Sequence, residues 1–360
     1  MSFAATWHAD IVEAQGNEVA GFDTDVIDAW LPSVTDVTPP FRWTRLPGGH
    51  SNLTYLIEDA NGRELVIRRP PQGELLPKAH DMWREYRIID GLWPTPVPVA
   101  EPIAYNDDRA LCTTHFYVMG KVEGRALYTG EEVAAWLDVN ARRRAGEAFI
   151  DTLAALHSIE PGDVGLGDLG RPDGYVSRQL KTWYGSWTAS VADADLDDDR
   201  THQLHGLLES KIPQQGVGRV VHGDFGPHNC LFSEQGSLTA VLDWEIATLG
   251  DPLADLAYSI NAWTEPGDRI ADGVDAPTVL DGFPSRASLI ERYAKSTGAD
   301  VSLMPYYRAF NWFKTACIIH GVYARYCAGK KSTEGVDLDL LRTRIGLALD
   351  NAATMAADIS

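Results

Sequence analysis

Three side chains in one stretch of this sequence have the types and order that phosphoryl transfer needs. Asp224 follows His222-Gly223, Asn229 comes after four intervening residues, and Asp243 ends the next apolar segment, Leu238 to Leu242. Phosphoryl transfer asks little covalent chemistry of a protein. It needs a positioned hydroxyl, metal ions that bridge phosphates, and a cation that orients the nucleotide. A carboxylate at Asp224 would sit beside the acceptor hydroxyl, while the Asn229 amide oxygen and the Asp243 carboxylate are hard oxygen donors of the kind Mg2+ takes. The Asp-x-x-x-x-Asn spacing is one that ATP-dependent transfer uses. Asp, Asn and Gly are also ordinary turn residues, so His222, Asp224 and Asn229 alone would be explained by a hydrogen-bonded turn. The ordered presence of Asp243-Trp244-Glu245 downstream is what argues for chemistry.

Elements that could position these residues follow from periodicity. Behind the capping candidate Asp23, the spacing of Val26, Ile27, Trp30 and Leu31 predicts a short helix. Phe41 to Leu46, Leu53 to Glu58 and Glu64 to Arg69 read as a three-strand meander broken at Pro47-Gly48-Gly49 and Asn61-Gly62. A loop over Pro70 to Pro77 precedes a helix over Ala79 to Ile89, and Pro94, Pro96 and Pro98 form an intradomain turn before strands at Val99 to Tyr105 and Phe116 to Met119. From about Glu131 onward helical patterns dominate, except for the β-rich stretch Arg219 to Trp244, with strands Cys230 to Phe232 and Leu238 to Leu242 around a turn at Gly236. The fold class expected is α+β in two lobes: residues 1–119 as a β-rich lobe with a leading helix, and residues 120–360 as a mainly helical lobe carrying the site.

Composition narrows the partners. The 51 acidic residues outnumber the 31 basic ones for a formal charge of −20, which opposes nucleic acid and anionic membrane surfaces. The first ten residues show no signal peptide, and no apolar run is long enough to span a bilayer. Cys112, Cys230, Cys317 and Cys327 are scattered, as reduced thiols of a cytoplasmic protein are. His202 with His205 lacks a ligand partner, and the acidic run from Asp193 to Asp199 reads as a solvated loop or helix start.

The segments His222-Gly223-Asp224-Phe225-Gly226-Pro227-His228-Asn229 and Leu242-Asp243-Trp244-Glu245 resemble the aminoglycoside phosphotransferase and choline kinase family, over roughly residues 40–265. The resemblance implies a bilobal protein-kinase-like fold, ATP and Mg2+ as cofactors, and a small-molecule hydroxyl as acceptor. Within it Asp224 would be the catalytic base or hydroxyl-orienting residue, Asn229 and Asp243 Mg2+ ligands, and His222 a support for the loop. Arg68, in Leu65-Val66-Ile67-Arg68-Arg69, stands where the family has a strand lysine. It can pair bidentately with phosphate and with Glu85 on the following helix, but if it faces outward the nucleotide must be oriented by other groups. Ser51 and Asn52, in Gly48-Gly49-His50-Ser51-Asn52, would offer short polar groups to phosphates, although a hairpin turn explains that segment equally well. Met119 and Lys121, in the run from Phe116 to Gly124, resemble the interlobe hinge where adenine meets backbone groups. Asp251 is an N-cap with Pro252 after it, Asp255 either braces the catalytic loop or serves the helix start, and His157 has a helix-terminus role.

The stretch from Arg68 to His80, with Arg84-Glu85-Tyr86-Arg87, and the stretch from Gly174 to Trp183 are similar to kinase-like domains fused to acyl-CoA dehydrogenases. That branch implies a hydroxyacyl-CoA acceptor whose phosphates Arg178 or Lys181 would meet, although an amphipathic surface helix accounts for both residues. The alternatives are an aminoglycoside acceptor and a non-catalytic nucleotide-binding module. Protein-kinase activity is disfavoured by the lack of Asp-Phe-Gly and Ala-Pro-Glu segments after Asp243.

Overall fold

The structure is a computed structural model that describes residues 19–46, 52–72, 81–269 and 275–359. The N-terminal segment, Gly48-Gly49-His50-Ser51 and all but the first residues of the loop expected over 70–77 lie outside these described residues, as does Ala79.

Asp23 accepts the Val26 N–H at 3.4 Å and starts α1 (Thr24–Trp30). Five strands then form one antiparallel sheet in the order β1-β2-β3-β5-β4: β1 (Arg42–Arg45), β2 (Leu53–Glu58), β3 (Glu64–Arg69), β4 (Pro102–Asn106) and β5 (Phe116–Gly120). The meander expected from sequence is present, and β5 joins it against β3. Side chains alternate across the pleat. Tyr55, Ile57, Leu65, Ile67, Phe116 and Val118 therefore bury one face against Phe22, Ile27 and Leu31. Val66, Arg68, Tyr117 and Met119 occupy the opposite face, because Arg68 is registered against Tyr117 and Val66 against Met119. Arg68 is thus on the face opposite that core, which Glu85 of α2 and Asp243 cover.

The helix α2 (Met82–Leu92) is capped by Asp81, whose side chain accepts the Arg84 N–H at 3.1 Å. Its buried face carries Met82, Glu85, Ile88, Ile89 and Leu92, so Glu85 is placed inside by the same 3.6-residue period as its apolar neighbours. The prolines after α2 form a turn within the core, since Val97 and Val99 are buried there and the next strand starts only at Pro102.

The rest of the chain is mainly helical: α3 (Gly130–Trp136), α4 (Val139–Ser158), α5 (Tyr175–Ala194), α6 (Asp199–Ser210), α7 (Pro252–Ala262), α8 (Arg286–Thr297), α9 (Met304–Cys327) and α10 (Leu338–Ala356). The long α9 runs through its centre, with Phe310, Phe313, Ala316 and Cys317 fully enclosed. Asp198 caps α6, so the acidic run is a helix start. The four thiols are unpaired. No helix among the described residues is long and apolar enough to cross a membrane.

Two small antiparallel ribbons interrupt the helices. β7 (Cys230–Phe232) pairs with β8 (Leu238–Val241), and β6 (Arg219–Val221) pairs with β9 (Thr248–Gly250). The loops 222–229 and 242–247 are held between them. The β7–β8 turn rests on α4 at Gly236, where φ is +81° and a Cβ would overlap the Ala141 carbonyl oxygen. Both the left-handed backbone and the close approach demand glycine. Gly236→Ala is expected to destabilise the protein by about 2–4 kcal/mol, read as a lower urea midpoint at unchanged m-value.

Candidate active site

The loop after β6 is fixed from below by a buried carboxylate. Asp255, one turn into α7, accepts the N–H of His222 at 2.7 Å on Oδ2 and that of Gly223 at 2.8 Å on Oδ1. His157 Nε2 lies 3.2 Å from the same Oδ2, and its Nδ1 is 2.7 Å from the Tyr293 hydroxyl. Burial works to raise the Asp255 pKa, but these donors outweigh it and hold the carboxyl below its ordinary range. Asp255 is therefore the brace of the loop, and His157 at the end of α4 is the brace of Asp255. Asp251 caps α7, accepting from Leu253 N at 3.0 Å and from the Tyr307 hydroxyl at 2.7 Å.

His222 joins the two loops. Its Nδ1 accepts the Asp224 N–H at 3.3 Å, so the proton sits on Nε2, which donates to the Leu242 carbonyl at 2.8 Å. The Leu242 N–H in turn donates to the Asn229 carbonyl at 2.8 Å. These bonds set Asp224, Asn229 and Asp243 in one fixed arrangement. The Asn229 Nδ2 donates to the Asp224 carbonyl at 3.0 Å, so the amide oxygen is the atom that could hold a metal. Asp243 has φ 63° and ψ 60°, a left-handed conformation that costs a non-glycine residue on the order of 1–2 kcal/mol. Asp195 at the end of α5 is also left-handed, so what sets Asp243 apart is that its carboxylate meets Arg68.

Asp224 is buried, and its Oδ1 accepts from the Tyr258 hydroxyl. His228 Nε2 is 3.5 Å from the same oxygen but lacks the alignment of a hydrogen bond with any partner. Burial pushes the Asp224 pKa up; the His228 ring and the Tyr258 hydroxyl act the other way, and the carboxyl ends well below the usual range. Such a group is a weak base, suited to orienting a hydroxyl and receiving its proton as the phosphorus–oxygen bond forms.

Above the loops, Arg68 Nη1 reaches Glu85 Oε2 at 3.1 Å and Nη2 reaches Asp243 Oδ1 at 3.2 Å. Glu85, 1% exposed, also accepts from the Tyr117 hydroxyl at 3.0 Å and from Asn52 Nδ2 at 3.5 Å. Burial raises the Glu85 pKa despite the Arg68 charge beside it. Glu245, two residues after Asp243, is pushed up to about 7 by burial and by the nearby carboxylates of Asp243, Glu85 and Asp224, against the pull of Arg68. Arg84 Nη2 holds the Ala247 carbonyl at 2.6 Å and so ties α2 to the second loop.

Of the residues singled out in the sequence, Asn52, Arg68, Glu85, Asp224, Asn229 and Asp243 converge on this cleft, while Ser51 lies outside the described residues. Met119 shares the sheet face of Arg68. Lys121 pairs with Glu64 and, at 2.8 Å, with Glu123. Glu64 begins the strand that Arg68 nearly ends, about 13 Å away at the rise of a β-strand. Arg178 is engaged by the carbonyls of Arg171 and Asp173 at the start of α5. Tyr258, Tyr117 and His228 had been given no role; Tyr258 lies three residues after Asp255, a helical spacing that puts both on one face of α7.

Beside His228 and Tyr258 opens a cavity of about 510 Å3 between α7, α9, α10 and the segment at Tyr128. It is of a size for a small organic molecule. A cleft with a cationic and metal-competent side, a buried carboxylate, and an adjoining pocket is the arrangement of a two-substrate transfer enzyme.

Comparison with known proteins agrees. Residues 42–307 match the model of the phosphotransferase enzyme family. Acyl-CoA dehydrogenase family member 11 from Gallus gallus is 35% identical over 295 residues, which are 79% of this chain and 37% of that protein. Acyl-CoA dehydrogenase family member 10 from Mus musculus is 32% identical, over 86% of this chain and 29% of its own length. The chain thus spans about a third of the length of these two relatives. A solved structure from Ralstonia eutropha, assigned provisionally to the aminoglycoside phosphotransferases, superposes with a TM-score of 0.76 at 28% identity, covering 92% of this chain and 99% of that one. A macrolide 2′-phosphotransferase from Brachybacterium faecium shares the fold with a TM-score of 0.56 at 18% identity, covering 91% and 98%. With its bilobal kinase-like fold and a match over most of its length, the chain belongs to the phosphotransferase enzyme family.

Proposed function

We propose that this small-molecule kinase transfers the γ-phosphate of ATP, with Mg2+, to the hydroxyl of a hydroxyacyl-CoA-type metabolite in the cytoplasm, without nucleic acid or membrane partners. The observation that carries this reading is the position of Asp224, touched by two side chains that line the 510 Å3 cavity and linked through His222 and Leu242 to the Asp243 and Arg68 cluster. The donor set fits the metal: Mg2+ takes one or two protein oxygens and completes its shell with phosphates and water, and Asn229 and Asp243 offer two such oxygens. Bound there, the ion would neutralise charge on the phosphates. Arg68, held by Glu85, orients the nucleotide's anionic tail, with the segment at Asn52 beside it and the C-terminal end of β5 at Met119 to Lys121 meeting adenine. Asp224 orients the acceptor hydroxyl and receives its proton.

The cavity favours an acceptor with an aliphatic part. Trp312, Ile318, Val322 and Leu341 form its apolar walls. Asp275 is its one carboxylate among the described lining residues, and Arg269 there is paired with Asp350 at 3.4 Å. A polycation such as an aminoglycoside would find little to pair with. The relatives' names, which mention acyl-CoA, point the same way.

Incubation with Mg2+-ATP, a panel of hydroxyacyl-CoA esters and, in parallel, aminoglycosides is expected to give a phosphorylated ester, identified by mass spectrometry. Asp224→Ala should lower its rate by about 100-fold or more. Phosphorylation of aminoglycosides alone would overturn the acceptor assignment, and no Asp224-dependent product would overturn the activity. Arg68→Ala is expected to raise the KM for ATP by about tenfold or more, the loss of charge-assisted contacts to phosphate. The carboxylate crowding has its own test. A carboxyl raised to about 7 in the folded state loses stability as pH rises from its unfolded value of 4.5 through 7. Glu245→Gln should therefore raise the melting temperature of nucleotide-free protein by about 2–4 °C at pH 8 and by less at pH 5.

A further inference from the structure

We propose that Tyr258 is the positioning residue of Asp224, holding the carboxylate by Oδ1 so that Oδ2 takes the proton of the acceptor hydroxyl. The inference rests on the transferase reading above and concerns a residue outside both loop motifs. Tyr258 stands one turn after Asp255 on α7, so one helix face both braces the backbone of the loop, through the His222 and Gly223 N–H groups, and addresses the side chain the loop carries. A carboxylate on a short side chain keeps one free rotation about its last bond. A hydroxyl donor on one oxygen restricts that freedom, and orientation of this kind is a large part of what a transferase contributes.

The surroundings of Tyr258 are built for the task. Tyr258 lines the cavity proposed for the acceptor, and its hydroxyl donates to Asp224. Lys314 from α9 places its ammonium 5.8 Å from the ring centroid, within the range of a cation–π contact. Lys314 is only 8% exposed, and burial works against its charge while the carboxylates of Asp255 and Asp224 support it. A largely enclosed ammonium is costly unless a nearby charge or π face compensates it. Here the Tyr258 face does so, together with the carboxylates of Asp224 and Asp255, and the phenol is clamped between α9 and the catalytic loop. His228 closes the other side of Oδ1 at 3.5 Å. It also packs on Gly226, where a Cβ would overlap its ring.

In the reaction so arranged, the acceptor oxygen forms its bond to the γ-phosphorus and its proton passes to Asp224 Oδ2. The bridging oxygen–phosphorus bond breaks, and its electron pair leaves with ADP. Tyr258 keeps its proton throughout.

A double-mutant cycle tests this. Turnover of wild type, Tyr258→Phe, Asp224→Asn and the double variant is measured as ADP release, with water as acceptor and with 3-hydroxybutyryl-CoA. Binding stoichiometry for a fluorescent ATP analogue gives the folded fraction of each. Tyr258→Phe is expected to lower kcat by about 10–100-fold at unchanged ATP stoichiometry and KM for ATP, and to add nothing in the Asp224→Asn background. Equal losses in both backgrounds, or a fall in ATP stoichiometry that accounts for the lost rate, would make Tyr258 merely structural and overturn the proposal. Unchanged kcat in Tyr258→Phe would do the same. If no CoA ester in the panel is phosphorylated, the acceptor assignment fails while the cycle is still read from ADP release into water; ATP turnover by no variant, wild type included, would overturn both.

Discussion

Everything reactive in this protein hangs from one buried carboxylate. Asp255 receives two consecutive backbone N–H groups of the loop and is held in turn by His157, which is held by Tyr293. An ionised group in the interior survives only when its lone pairs are met by donors, and here the donors are the very peptide groups that must not move. The interaction therefore solves two problems together. It satisfies N–H groups that the turn takes out of the β-ladder, and it fixes the loop to α7, α4 and α8 simultaneously. His222 then carries that rigidity across to the Leu242 carbonyl, so the second loop inherits its position from the first.

The cleft is closed from the sheet side by charge rather than by apolar contact. Arg68 spans Glu85 on α2 and Asp243 on the second loop, and Arg84 adds a bond from α2 to Ala247. Each is a charge-assisted contact in a partly dry setting, stronger than its surface equivalent yet exchangeable for a phosphate oxygen. The two parts of the molecule are thus joined at the place proposed to receive the nucleotide's charge.

Much of this was legible in the residues. The β2 and β3 strands, the Gly236 turn, the Asp23 and Asp251 caps and the order of Asp224, Asn229 and Asp243 follow from local chemistry: alternation, turn residues and N-cap preference. The aim of Arg68 was left open by the sequence: the period of two in β3 puts it opposite Leu65 and Ile67, and only the packing of α2 and the Asp243 loop on that face encloses it. The pairing of β6 with β9 was missed because three-residue strands carry almost no periodic signal and their partnership is set by tertiary contact. Tyr258 was missed for a related reason. As a tyrosine on an otherwise apolar helix it reads as core, and only the spatial approach of α7 to the loop gives its hydroxyl a partner. Arg178, read as a candidate for the acceptor's phosphates, is taken up by two loop carbonyls at its own helix start.

The guanidinium at position 68 also changes how this cleft can be handled chemically. A lysine there would be an amine whose charge weakens on desolvation and which acylating or aldehyde reagents can capture. Arg68 stays cationic although it is largely enclosed, because Glu85, Asp243 and Glu245 oppose the effect of burial. Nucleotide analogues that carry an electrophile to the strand amine of a kinase-like pocket meet no amine at this position. A covalent handle on this protein would have to be aimed at another side chain of the cleft.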